Sequence, residues 1–469
     1  MTGRVPKFAI AAESIRRLIG ALPENARIPS QRELARRLGL GRNTIIAAMN
    51  LLADEGLIAR QEKSRAVVVG GVDPHAGKLR SFLDASGFSA PRMAAAFRRQ
   101  DDGMPGDRMI SLINLVDNAW DGWLNQDLVA ESLADAMKMR ESERFANLYS
   151  ELGLGCLREV VCRFEARRSI KASPDEVIIV SRRLFAYRLL TEVLLGQGTE
   201  LWAPELSIVQ YYGVGDRRAW RRFSLPFDGE GPSVEPLLRS KRRKFVMLEP
   251  TRPKPTGESM TEARRRAFVD LALSSDAFVM EDAYCELMYP ERPTPLAALD
   301  PQRKAVIRIG AIPIWMAPGA ELSWIIADRR IITALRAAMR RDYGAQSILG
   351  QFAAYGLLAS GRIDEAAART LQHHDALCLR IESILQAELG GLAEWTLPGS
   401  FGCVWLKLKA PISVQNLHRL RMTVDFQPGN LYGEADRSHL LLRYTASPEN
   451  FAEGVRRLRD LILAASRIG

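Results

Sequence analysis

The chain is 469 residues long, which at roughly 150 residues per domain leaves room for about three domains, or for one small module joined to a large one. Its 47% hydrophobic and 26% charged content is that of a globular chain and excludes a short peptide, a disulfide miniprotein and a disordered polymer. The formal charge of +10 is unevenly placed: residues 1–70 hold 12 Arg or Lys against 6 Asp or Glu, and so basic an end points to nucleic acid.

At the N-terminus, Arg4 and Lys7 are followed only by the apolar FAIAA before Glu13, too short for a signal peptide. No apolar run approaches the roughly 20 residues of a membrane span, so a cytoplasmic protein is expected. Five cysteines without a CxxC spacing and five histidines without HExxH predict reduced thiols and no structural metal. The adjacent His373 and His374 read as solvated helix surface.

The first well-marked element starts after Pro29. Ser30 and Glu33 have the S-x-x-E spacing of a capping box, in which each side chain satisfies the other's backbone N–H. The helix that follows carries Leu34 and Leu38 on one face and is stopped by Gly39. Gly41 opens a second helix with Ile45, Ile46, Met49 and Leu52 inward, ending at Gly56. Its first turn, Arg42, Asn43 and Thr44, is polar, and that turn is the part of a recognition helix that meets base edges and phosphates. Residues 57–60 and 66–69 read as two short strands around a polar, basic loop, a wing.

The stretch RIPSQRELARRLGLGRNTIIAAMNLLADEGLIARQEKSRAVVV resembles the winged helix-turn-helix of the GntR family over almost its whole length. The resemblance implies that Arg32, Arg42, Asn43 and Thr44 touch DNA, with Lys63 or Arg65 in the wing. Gln31 and Ser64 depart from the family's usual Ser and Gly. Arg36 and Arg37 read equally as phosphate contacts or as a solvated face.

Paired glycines, Asp73-Pro74 and scattered polar residues mark 71–108 as a linker between a DNA-binding domain at 8–70 and a large domain at 109–469. Beyond it, helical patterns alternate with short strands at 176–180, 200–202, 244–250, 276–282 and 305–310, which predicts an α/β domain with a mostly parallel sheet. The ordered series ANLYSELGLGCLREVVCRF, SPDEVIIVS, LEPTRPKPTG, MEDAYCELMY, IGAIPIWMAPGAELSWII and HLLLRYTA is similar to the fold-type I aminotransferases. With the N-terminal reader, about nine tenths of the chain resembles a MocR-type regulator.

That resemblance implies a pyridoxal phosphate site, and its parts are unevenly kept. Asp282 and Tyr284 match the residues that face the ring nitrogen and the phenolic oxygen, and Arg443 matches the arginine that grips a substrate carboxylate. Ile314, however, stands at the Schiff-base lysine, and Glu321 at the phosphate arginine. Exchanging attraction for repulsion there matters, because one such contact is worth about 4 kcal/mol at ~4 Å and an effective dielectric of ~20. Arg182 replaces the glycine of the phosphate cup, and Leu206 the aromatic over the ring, with Tyr211 or Tyr212 as substitutes. Of the eleven lysines only Lys254 lies on a segment that approaches the ring in the family.

The sequence therefore reads as a DNA-binding transcriptional regulator, not an enzyme. Its aminotransferase-like domain is expected to be a pseudoenzyme for dimerisation or effector sensing, with no covalent cofactor and pyridoxal phosphate disfavoured. The alternative is a regulator that holds pyridoxal phosphate without a covalent bond. Glu321 is expected either to pair with Arg182 or Arg183 and fill the former phosphate site, or to turn outward with the arginine in an opened pocket; Asp282 is expected to pair with another pocket cation or to have a raised pKa.

Overall fold

The computed structural model describes residues 11–12, 14–15, 18–19, 26–54, 58–61, 65–68, 113–114, 124–138, 150–214, 221–289, 293–342, 347–397, 402–409, 417, 424–433, 438–444 and 448–466. The chain separates into two compact units, Met1–Asp101 and Asp102–Gly469. The expected linker at 71–108 lies outside the described residues.

In the first unit, α1 (Gln31–Leu38) and α2 (Arg42–Asp54) precede a hairpin of β1 (Ile58–Gln61) and β2 (Arg65–Val68). Gly39 ends α1 at φ +63°, a left-handed conformation that glycine adopts without a Cβ penalty, and its N–H closes on the Ala35 carbonyl. Ile45, Ala48, Met49 and Leu52 then meet Leu34, Ile15, Ile19, Ile28, Ile58 and Ala66 in one core. Ile46, expected inside, is only half-buried, and Ala48 takes the inward position.

The second unit is built on a seven-stranded sheet. Its strands are β4 (Val177–Val180), β5 (Glu200–Pro204), β6 (Arg221–Leu225), β7 (Lys244–Leu248), β8 (Ala277–Asp282), β9 (Val306–Ile312) and β10 (Leu322–Ile326), in the spatial order β4-β10-β9-β8-β7-β5-β6. Pairing is parallel from β6 through β9, and only β10 runs the other way. Period-two alternation sends Val177, Ile179, Val246 and Leu248 to one face, and Ile178, Val180, Phe245 and Met247 to the other. Both faces are covered, which is why these strands are continuous apolar runs.

Helices α3 (Gln126–Met137), α4 (Gly155–Ala166), α7 (Glu262–Ser274) and α9 (Ile348–Ser360) supply the first face; α5 (Arg183–Leu194), α6 (Ile208–Tyr211) and α8 (Arg329–Asp342) supply the second. A Cβ on Gly356 of α9 would lie 2.1 Å from the Ser132 carbonyl oxygen of α3, so this close helix approach requires glycine. Arg308, in mid-β9, is buried with Glu165, Glu281 and Glu286 at 2.9, 3.2 and 2.8 Å, which compensates its charge.

The remainder forms a smaller layer. An antiparallel sheet of β11 (Ala393–Thr396), β12 (Cys403–Leu408), β15 (His439–Arg443) and β14 (Gln427–Pro428), in that order, packs against α10 (Arg362–Leu389) and α11 (Pro448–Ser466). The two-residue β3 (Ile113–Asn114) pairs in parallel with β13 (Val424–Asp425). His374, read from sequence as surface, is 2% exposed on α10. Its Nε2 lies 2.9 Å from the Tyr444 hydroxyl, a partner from β15's end that a helical pattern cannot show. His373 is exposed. Among the described residues no helix is long and apolar enough to cross a membrane.

Candidate functional site

The first site is the outer surface of the helix-turn-helix. Ser30 caps α1 by accepting the Glu33 N–H at 3.3 Å. The expected return bond is absent, because the Glu33 carboxylate turns forward to accept from Arg37 Nη2 at 2.6 Å. The charged partner one turn along wins over the neutral backbone donor. Buried Ile45 fixes the rotation of α2, and this leaves Arg42 and Asn43 exposed and Thr44 half-buried at its N-terminal turn. Arg32, Arg36 and Arg37 are exposed on α1. In the hairpin Gln61 pairs with Arg65, while Lys63 and Ser64 lie outside the described residues, as does the Arg65 side chain.

The second site is a cavity of about 180 Å³, open to solvent, at the carboxyl ends of the parallel strands. That edge is where a sheet of this kind places its ligands. Ser181 follows β4, Glu249 follows β7, Ile312 ends β9 and Arg443 ends β15, and all four line it. Because β10 is reversed, its first residues, Leu322 and Ser323, reach the same end. Tyr284, Ile314, Glu321, Arg182, Tyr212 and Lys254 complete much of the wall.

Asp282 is at the end of β8, its side chain fully buried. It accepts from the Tyr284 N–H at 2.9 Å and from the Tyr187 hydroxyl. Arg183 Nη1 lies 3.3 Å from Asp282 and 3.4 Å from Glu249, and the guanidinium carbon sits 4.0 Å above the Tyr284 ring. One cation thus bridges two buried carboxylates and stacks on an aromatic face, a geometry suited to a planar guanidinium.

The charges respond to this arrangement. Burial opposes the Arg183 charge, but Asp282 and Glu249 more than offset it and hold its pKa above the usual value. Burial pushes Glu249 up to about 7; Arg183 pulls it back and Asp282 pushes with the burial. Tyr284 is raised to about 12 by burial, and Tyr187 is raised by burial and then by Asp282. Lys254 is lowered to about 8, first by burial and next by the Arg443 cation.

The expected pair of Glu321 with Arg182 or Arg183 does not form. Glu321 instead accepts the Gly319 N–H at 2.6 Å, Arg182 is exposed, and Arg183 is drawn inward by the two deeper carboxylates. Ile314 is 41% exposed at the cavity wall. Leu206 is not among the lining residues; Tyr212 is, whereas Tyr211 stacks on Tyr432 at 4.8 Å. Sequence reading missed Tyr187 and Glu249. The i, i+4 spacing of Arg183 and Tyr187 on α5 is the signal that places both against Asp282.

Residues 10–68 match the family of bacterial regulatory proteins called gntR. Over its length the chain is 26% identical to the HTH-type transcriptional regulator YdfD of Bacillus subtilis, covering 98% of this chain and 97% of that one. It is 23% identical to NorG, an HTH-type transcriptional regulator of Staphylococcus aureus, covering 92% and 98%. Among solved structures, the kynurenine aminotransferase of Pyrococcus horikoshii superposes with a TM-score of 0.71 at 20% identity, over 83% of this chain and 98% of that one. The α-aminoadipate aminotransferase LysN of Thermus thermophilus gives 0.70 at 21% identity, over 84% and 100%. These structural likenesses establish the fold.

Proposed function

Starting from a chain with the make-up of a MocR-type regulator, a GntR reader at residues 10–68 joined to an aminotransferase-like domain, we propose that the large domain is a pseudoenzyme that senses a small molecule and leaves the chemistry of transamination behind. The observation that carries this reading is Arg183, whose guanidinium already bridges Asp282 and Glu249 and covers Tyr284. A pyridinium would have to displace an ion pair that is buried and hydrogen-bonded. Ile314 offers no amine at the family's lysine position, and Glu321 would repel a phosphate rather than hold it. The residues present therefore do not fit pyridoxal phosphate, and non-covalent retention would require Arg183 to leave both carboxylates.

The DNA-reading half of the proposal assigns Arg42, Asn43 and Thr44 to the major groove, Arg32 and Arg65 to flanking contacts, and a homodimer to the large domain. The exposure of Arg42 and Asn43 at the N-terminal turn of α2 supports the first, and the two-fold symmetry usual for operator readers supports the last. The protein acts in the cytosol on double-stranded DNA.

Selection of bound fragments from a random duplex pool, followed by titration of the recovered site, tests the assignment. Arg42→Ala is expected to weaken that binding at least tenfold and to lower the salt dependence by about one counterion if it meets a phosphate. Unchanged affinity in Arg42→Ala would refute the recognition turn. Sedimentation of the full chain at micromolar concentration checks the dimer, and a monomer there would overturn it.

A further inference from the structure

The reading of the large domain as a sensor leaves one reactive group in its cavity unexplained. Lys254 lines the wall, is partly buried, and makes no ion pair with a carboxylate among the described residues. Its backbone N–H, rather than its ammonium, is what Glu249 takes, at 3.0 Å. Arg443 opposes the charge of its side chain and Cys403 favours it. Cys403 opens β12 and is paired across the sheet with Arg443 on β15, which brings a lysine amine and a guanidinium to neighbouring positions on the same wall.

Building on the sensor reading, we propose that Lys254 forms a reversible imine with a 2-oxo acid whose carboxylate is held by Arg443. In a 2-oxo acid the electrophilic carbon adjoins the carboxylate, so an anchor and an amine placed side by side address both groups at once. The planar fork of Arg443 suits the carboxylate. Leu184, Ile208, Ile312 and Trp315 give the remaining substituent an apolar wall. A 2-amino acid offers no electrophile, and its ammonium would face Lys254 and Arg443, two cations. Arg183 does not compete for the ligand, because Asp282 and Glu249 already hold it.

The step balances without an oxidant. The neutral Lys254 amine attacks the carbonyl carbon, a C–N bond forms, and the carbonyl π pair moves to oxygen, which takes a proton. Nitrogen gives up a proton, and the resulting carbinolamine loses water as its C–O bond breaks. The products are an imine and one water, and protons exchange with solvent through the open cavity. A neighbouring cation that keeps a lysine amine unprotonated is an established route to such a nucleophile.

The groups facing Lys254 are Arg443 on β15, Cys403 on β12, Arg183 on α5 and the Glu249 carboxylate after β7, and with burial they set its pKa at about 8. At pH 7 roughly a tenth of such an amine is neutral, about 300-fold more than for an ordinary lysine.

The test uses the full-length protein with pyruvate, sodium cyanoborohydride and peptide mass mapping. The expected result is one reduced pyruvyl adduct, on Lys254, at least tenfold above any other lysine, with a rate half-maximal near pH 8. Arg443→Gln is expected to slow trapping of pyruvate at least tenfold and to leave trapping of acetone, which has no carboxylate, within twofold. Absence of an adduct, an adduct spread over several lysines, an adduct formed with pyridoxal phosphate and not with pyruvate, or equal trapping of pyruvate in Arg443→Gln would each overturn the proposal. Operator binding by the same preparation without ligand is measured in parallel, so that full DNA binding without any adduct refutes the imine and leaves the regulator reading in place.

Discussion

Replacing Arg183 by Met keeps the length of the side chain and removes the one cation shared by Asp282 and Glu249. The side chains of the three residues are 13%, 0% and 7% exposed, so water from the cavity replaces the lost partner only in part. Stripping one member from a buried ion pair costs about 3–5 kcal/mol. Unfolding entropy of ~2.1 cal/mol/K per residue over the roughly 370 residues of Asp102–Gly469 converts this to a fall of about 4–6 °C in melting midpoint. The penalty has a pH signature. Glu249 is raised from 4.5 to about 7 in the folded state, so its contribution to stability is fully present below 4.5 and is lost as pH rises through 7. Without Arg183, which pulls that pKa down, the loss extends to higher pH. Scanning calorimetry of both proteins between pH 5.5 and 8.5 should therefore show a deficit that widens with pH. A deficit independent of pH, or none, would refute the role given to Arg183.

Other expectations follow from the same geometry. Ser30→Ala should destabilise the N-terminal domain by about 1 kcal/mol in denaturant titration, whereas Glu33→Gln, whose carboxylate meets exposed Arg37, should cost less than about 0.5 kcal/mol. Lys254→Met should raise the melting midpoint at pH 7, because a lysine held at about 8 opposes folding below that pH; the gain should fade between pH 8 and 10.5. Burial lowers the pKa of His374 below 6.5, so the folded state resists its protonation and stability falls as pH drops below about 6.5. His374→Gln should make that acid limb shallower in a pH series of melting curves, and an unchanged limb would count against the buried, neutral imidazole.

The strands that sequence made legible are those buried on both faces, such as Val177–Val180 and Lys244–Leu248, where an unbroken apolar run leaves few alternatives. The strand at Arg221–Leu225 escaped because an edge strand opens with two arginines. The C-terminal antiparallel sheet escaped because its strands are short and pair across long sequence separations. In the cavity, matching along the chain brought Asp282, Tyr284, Arg443, Ile314 and Glu321 to attention, and all except Asp282 line the wall. It failed for the partner of Glu321, since complementary charges at aligned positions say nothing of depth. Asp282 and Glu249 lie deeper than Glu321, and the cation goes where its desolvation is best repaid. The half-formed capping box has the same origin: Arg37, four residues on, competes for Glu33.

The central claim is that protein side chains occupy the electrostatic role that pyridoxal phosphate would fill, in a chain that reads DNA. Isothermal titration of pyridoxal phosphate into the full-length protein at pH 7.5, followed by an absorbance spectrum of the same sample, tests it most directly. No saturable heat and no new visible band are expected, in protein that still binds its selected operator. Stoichiometric binding in that cell, with or without an imine band, would contradict it.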